Sequence, residues 1–329
     1  MKKTLIAIAT LAAAGASFAD TTVYGKLDAG LFNTSAGGTV VGLNGYETSR
    51  FGVKAEEKVG SMTYSIQLEG KISDTAVDGQ ATFAGFNRTA TAGVAGAFGA
   101  LTLGNQWTPF DNAVWTADAS EYSSAFTALR ATTAWNYDVG NTGMGNAKNS
   151  IQYATPVVSG FQGIVLAAPN VNGNTQGATN YTGVGINYAN GPLVINFATQ
   201  AYSGSFTPGV GSTPGVQNST ATLNSNVLAI NYDFGVAKAY AGLINTDTGD
   251  IAKGKDASYI VGVAVPFGAD SLRVSYAANK TSVSGLADST LSAWSAMYLK
   301  PLSKAAVGYA GVGSLSSVNT TGLGIRYNF

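Results

Sequence analysis

The side chains available for chemistry in this chain are carboxylates, amines and guanidinium groups, because none of its 329 residues is His or Cys. That absence removes Ser-His-Asp and Cys-His nucleophilic schemes and the usual His-ligated zinc site. A carboxylate pair can still cleave a glycoside, yet no Asp or Glu pair stands apart from the other charges. What the charged residues do show is a spacing of two. Arg50 and Lys54 oppose Phe51, Val53 and Ala55; Lys26 and Asp28 oppose Val23, Leu27 and Leu31; Gln67, Glu69 and Lys71 lie beside Ile66 and Leu68. Such alternation gives a strand two unlike faces. These charges therefore act through their fields and hydrogen bonds on a polar face.

The elements that carry them repeat along the chain. Alternating segments fall at about residues 22–33, 45–58, 61–74, 83–97, 99–107, 148–156, 160–168, 180–190, 192–203, 221–233, 236–246, 256–267, 270–281, 289–300, 303–313 and 319–329, which predicts sixteen strands. Their connections alternate in length. "KVGS", "AFGA", "NGP", "DFGV", "PFGAD" and "KPLSK" are short, whereas "TSAGGTVVGLNG", "NVNGNTQGATN", "SGSFTPGVGSTPGVQNST" and "TDTGDIAKGK" are long and rich in Gly, Asn, Ser and Thr. One rim therefore carries turns and the other loops. With an even strand count, this is the layout of a transmembrane β-barrel.

The apolar positions are faced by no second apolar set, so a single large sheet has only lipid to cover them, and closure removes the edges that hydrocarbon would not tolerate. At sixteen strands the interior is too wide for side chains to fill and holds an aqueous channel. The ending "GLGIRYNF" alternates up to Phe329 and is expected to pair with "TVYGKLDAGLF" near the start. Lys2 and Lys3, the apolar run from Leu5 to Ala14, and the small residues Ser17 and Ala19 predict a signal peptide over 1–19, leaving 20–329 as the barrel. Beyond it the chain carries 16 Lys plus Arg against 18 Asp plus Glu, which argues against nucleic acid as partner. No segment there approaches the length of a membrane-spanning helix. After "LTLGNQWTPF" comes one long connection, 108–147, containing Phe110, Trp115, Tyr122, Phe126, Leu129 and Trp135. Its apolar content predicts packing, and a loop folded into a wide barrel narrows it.

Several stretches together resemble the general porins of Gram-negative bacteria, in their β-proteobacterial and neisserial branch. They are "VYGKLDAGL", "SRFGVKAEEKVGSMTYSIQLEGK", "LGNQWTPFD", "NSIQYATP", "YDFGVAK" and "GLGIRYNF", in that order along the chain. The resemblance implies an all-β fold, a sixteen-stranded antiparallel transmembrane barrel with an inward-folded third loop. It implies a homotrimer in outer-membrane lipid, without cofactor, that passes ions and small hydrophilic solutes. It also implies basic residues on the wall, Lys26, Arg50, Lys71, Arg88 and Lys148, facing acids of the loop drawn from Asp111, Asp118 and Glu121. Phe329 resembles the terminal signal read by the outer-membrane assembly machinery. The family often has Gly-Arg-Gln where this chain has Gly104, Asn105 and Gln106, so one basic group is absent. The alternative is a substrate-specific sugar or anion channel, in which an aromatic ladder would line the path.

Overall fold

The computed structural model describes residues 20–74, 81–132, 145–169, 178–206, 219–247 and 254–329. The expected signal peptide and residues 133–144 of the 108–147 connection, Trp135 among them, lie outside them. The strands are β1 (Asp20–Thr34), β2 (Gly38–Leu43), β3 (Arg50–Val59), β4 (Met62–Asp74), β5 (Ala81–Phe83), β6 (Thr89–Gly96), β7 (Gly99–Trp107), β8 (Asn146–Ala154), β9 (Phe161–Pro169), β10 (Ala178–Asn190), β11 (Leu193–Phe206), β12 (Ser219–Asp233), β13 (Lys238–Asp247), β14 (Gly254–Phe267), β15 (Asp270–Val283), β16 (Ser289–Pro301), β17 (Ala306–Leu315) and β18 (Val318–Asn328). Helix α1 (Pro109–Thr116) and a 3-10 turn at Ala128–Ala131 follow β7.

All the strand pairings are antiparallel, and the sheet closes on itself through β1 and β18, in register from Lys26 opposite Asn328 to Thr34 opposite Thr320. Phe329 extends the seam by one pair: its N–H donates to the Gly25 carbonyl at 3.1 Å, and the Gly25 N–H donates back at 3.0 Å. The eighteen strands among the described residues make sixteen wall positions because two positions are built from two strands each. Residues 29–34 of β1 pair with β2 and residues 20–26 with β3; β4 likewise pairs with β5 through residues 72–74 and with β6 through residues 63–69.

These breaks correct two expected strands, 45–58 and 83–97. Residues 44–49 leave the wall because Asn44 takes a left-handed conformation (φ +67°) and Asp28 draws the following backbone inward. Its carboxylate, fully buried, accepts from the N–H groups of Gly45 (2.9 Å), Tyr46 (3.2 Å) and Glu47 (3.0 Å) and from the Tyr309 hydroxyl (2.7 Å). At the second break Gly85 holds φ +77°, and Asn87 Oδ1 accepts from the Lys71 N–H. Elsewhere the expected strands fall within a few residues of the observed ones.

The alternation sorts into two environments. Val23, Leu27, Leu31, Ile66, Val165, Ile186, Leu228, Leu243, Val261, Leu272, Leu323 and Ile325 are exposed on the outer face. The intervening positions point inward and include Asn196, Gln200, Ser225, Asn231, Thr246, Ser258, Ser275 and Ser295, all buried. A soluble protein would bury the first set, and only a hydrocarbon surround makes their exposure favourable.

Candidate functional site

The segment after β7 is held against the inner wall along its described length. Thr108 caps α1 by accepting from the Asp111 N–H, and Pro109, at the start of the helix, has no N–H to leave unpaired. Phe110, Ala113, Val114 and Leu129 bury against Ala198, Val227, Ile244 and Ile260 of the wall. Polar contacts fix the register: Asn196 and Asn231 donate to the side chain and carbonyl of Thr116 at 2.6 and 3.0 Å, and Arg273 donates to the Ala119 carbonyl at 3.1 Å. The wall has glycine where the loop comes closest. A Cβ on Gly242 would stand 2.6 Å from the Ala117 methyl, and one on Gly262 would stand 2.8 Å from that of Ala119. Past the helix the chain reaches the inward 44–49 segment, where the Ser124 and Ala125 N–H groups donate to Tyr46 and Gly45 carbonyls at 3.2 and 2.9 Å.

The three acids named from the sequence sit in three different environments. Asp111 is buried in the first turn of α1 and accepts from the Tyr122 hydroxyl at 2.9 Å. Asp118 is buried as well; its carboxylate accepts from Ser120 N–H and hydroxyl, Tyr122 N–H and the Thr127 hydroxyl, at 2.7 to 2.9 Å. Burial pushes the Asp118 carboxyl above the usual range, against the pull of those donors. Glu121 is half-exposed, receives Arg273 at 2.6 Å and the Tyr46 hydroxyl at 2.6 Å, and so joins loop, wall and inward segment. Burial works to raise the Glu121 carboxyl, but Arg273 and the Tyr46 bond outweigh it and hold it below the usual range. Glu121 and Tyr122 both adopt left-handed backbone (φ +57° and +62°), a strain on the order of 1 kcal/mol or more each that these bonds offset.

Facing the loop is a basic wall. Register places Arg50 opposite both Lys26 and Lys71. Glu47 gathers Lys26, Arg326 (2.5 Å) and Arg50 (3.5 Å), while Glu69 gathers Arg88 (2.7 Å) and Arg50 (3.5 Å). Between wall and loop lies a cavity of about 670 Å³ lined by Lys26, Glu47, Arg50, Lys71, Arg88, Asp118, Glu121 and Lys238, among others. The Lys71 ammonium has no ion pair among the described residues. Of the residues named from the sequence, Lys26, Arg50, Lys71, Arg88, Asp118 and Glu121 line this cavity, whereas Asp111 and the exposed Lys148 do not. Asn105, at the position where a basic residue is missing, donates to the Asn87 carbonyl at 3.1 Å. Sequence reading passed over Glu47, Arg273 and Arg326. The parity signal for the two arginines was present, since Arg273 sits between Leu272 and Val274, and Arg326 between Ile325 and Tyr327.

A closed sixteen-stranded barrel with an apolar exterior and a charged interior cavity is an outer-membrane channel. The chain belongs to the Gram-negative porin family, whose profile matches residues 4–320. It is 30% identical over 290 residues to outer membrane porin protein 32 of Delftia acidovorans, covering 82% of this chain and 77% of that protein. It is 30% identical over 215 residues to major outer membrane protein P.IB of Neisseria gonorrhoeae, covering 60% of this chain and 56% of that one. In fold it is similar to an anion-selective porin from Comamonas acidovorans, with a TM-score of 0.78 at 23% identity over 94% of this chain and 100% of that chain. An outer membrane protein of Vibrio cholerae, OmpT with loop L8 deleted, gives 0.76 at 19% identity over 95% of this chain and 100% of that chain. The protein is a porin of the Gram-negative outer membrane, forming a water-filled channel for passive diffusion of ions and small hydrophilic solutes.

Proposed function

We propose that residues 108–132 form the constriction of this channel and that the constriction favours small anions. One observation carries this reading: the cavity between loop and wall is lined by five cationic residues, Lys26, Arg50, Lys71, Arg88 and Lys238, against three acids, Glu47, Asp118 and Glu121. Each of those acids is already engaged, Glu47 by three cations, Glu121 by Arg273, and Asp118 by donors of its own loop. The uncompensated charge is positive and acts across a narrow passage with low-dielectric walls, where it counts for more than in bulk water. The similarity to an anion-selective porin points the same way. Catalysis has no part in this reading. The working form is a homotrimer, a form named for one of the structural relatives, and Phe329 serves the assembly machinery as well as the seam. Lys148 is a wall charge outside the neck.

The test is conductance in planar bilayers with ions of graded size. Replacing chloride by larger anions at constant potassium should lower the current more than replacing potassium by larger cations at constant chloride. The opposite order would reject the anion preference.

A further inference from the structure

Two indole rings stand where the pore is lined by arginine. Besides the cavity described above there is a second, of about 360 Å³, lined by Gln67, Thr91, Thr102, Gln106 and Gln152 among others; Arg50, Arg88, Trp107 and Trp115 line both. A solute passing from one cavity to the other therefore moves along two guanidinium groups and two indoles. The aromatic surface is continuous. Trp107 meets Trp115 edge-on at 6.0 Å, Trp115 stacks on Tyr122 at 4.8 Å and 18°, and Arg88 stands 5.0 Å from the Trp107 ring centre.

Trp115 is on α1, whose other face buries Pro109, Phe110, Ala113 and Val114 against the wall, and it remains 39% exposed. Helix anchoring thus leaves this ring toward the water path. Apolar area left against water is unfavourable, and a passage for water and simple ions gains nothing from it. A solute that covers it does gain.

We propose that Trp107, Trp115, Arg50 and Arg88, with Lys71 beside them, form a subsite for planar aromatic carboxylates on their way through the channel. The proposal rests on the anion-favouring reading above and names its substrate class. The solute ring lies against the exposed part of Trp115, and its carboxylate meets the guanidinium fork of Arg50 or Arg88, whose geometry suits two parallel N–H bonds to a carboxylate. Neutral sugars fit less well. A neutral sugar brings no carboxylate to the guanidinium groups of Arg50 and Arg88, and the one carboxylate lining this cavity among the described residues, Glu69, already receives Arg88, Arg50 and the Tyr24 hydroxyl.

The whole protein in a planar bilayer at 0.1 M KCl separates stacking from charge when current block is compared for benzoate and cyclohexanecarboxylate, which carry the same charge on aromatic and saturated rings. Ring stacking of ordinary strength predicts half-block by benzoate at roughly five- to tenfold lower concentration. Trp115→Leu should bring that ratio to about one, Trp115→Tyr should keep most of it, and Trp294→Leu on the outer face should leave it intact. Equal block by both acids in the unaltered protein, or a ratio that survives Trp115→Leu, overturns the subsite. Block by glucose at concentrations where benzoate does nothing overturns it too, in favour of a sugar site. Chloride-over-potassium preference is read in the same bilayers: its absence contradicts the anion-favouring reading, whereas its presence with a ratio of one contradicts the aromatic subsite alone.

Discussion

Glu47 holds three cations at once, Lys26, Arg50 and Arg326, and so sets how much positive charge the wall presents. Glu47→Gln should leave the barrel closed, since Glu47 lies in the inward segment and makes no ladder bond. Local order at the wall should fall by about 1–3 kcal/mol, the scale of hydrogen-bonding groups left without their partner, and the permeability ratio in 0.1 M salt should move toward anions. No change in the ratio would mean that Glu47 carries no net charge into the path. Asp118 and Glu121 should separate in the same measurement. Glu121→Gln releases Arg273 and should also move selectivity toward anions. Asp118→Ala removes the acceptor of four donors inside the loop, a loss on the order of 3 kcal/mol, and should appear as a noisy, fluctuating current with digestion of the loop by added protease. An Asp118→Ala channel with a shifted ratio would give Asp118 the charge role assigned to Glu121.

At the scale of elements, the strands were legible because each has one lipid face and one wet face, and a period of two survives nearly everywhere. The loop was legible as a long apolar interruption. What sequence could not supply was the indentation at 44–49. Asp28 has the parity of a pore-facing charge, and only the register reveals that three backbone N–H groups and the Tyr309 hydroxyl consume it. The stretch "TATAGVAG" that follows Arg88 alternates too weakly to assign that residue a face, and its ion pair with Glu69 gives its direction. Asp111 and Asp118 share the composition of Glu121, but their hydrogen bonds turn inward to the loop, and no spacing rule reads that.

The loop's contact with the wall makes two predictions. Gly242→Val places methyl groups where the Ala117 side chain already lies, so the loop should lift and single-channel conductance should rise, while the heat-modifiable barrel persists. Unchanged conductance would mean that the contact is not required for docking. Acid should loosen the opposite end. The Glu121 carboxyl lies below its usual 4.5 in the folded loop, so its stabilisation is complete above that value and is lost as pH falls through the lower, folded one. Current fluctuations should therefore grow below about pH 4, and Glu121→Gln should show them already at neutral pH.

For the whole molecule, lipid and closure account for what would otherwise be faults: exposed Leu, Val and Ile on most strands, and a chain that pairs up to its last residue. Deleting Phe329 removes the Gly25 pair and the ring that covers Gly25. Export should continue while the yield of inserted, heat-modifiable barrel falls, and undiminished insertion would make that residue incidental. Inside the barrel, charge is distributed unevenly, with the wall positive and the loop's acids already spent. The measurement that tests this most directly is the zero-current potential of the reconstituted channel across a tenfold KCl gradient centred near 0.1 M, where screening lengths are about 10 Å. The account predicts the sign of chloride preference, reduced by Arg50→Gln and Lys71→Gln and fading when both sides are raised toward 1 M. A potential of the opposite sign, or one indifferent to both substitutions, would contradict it.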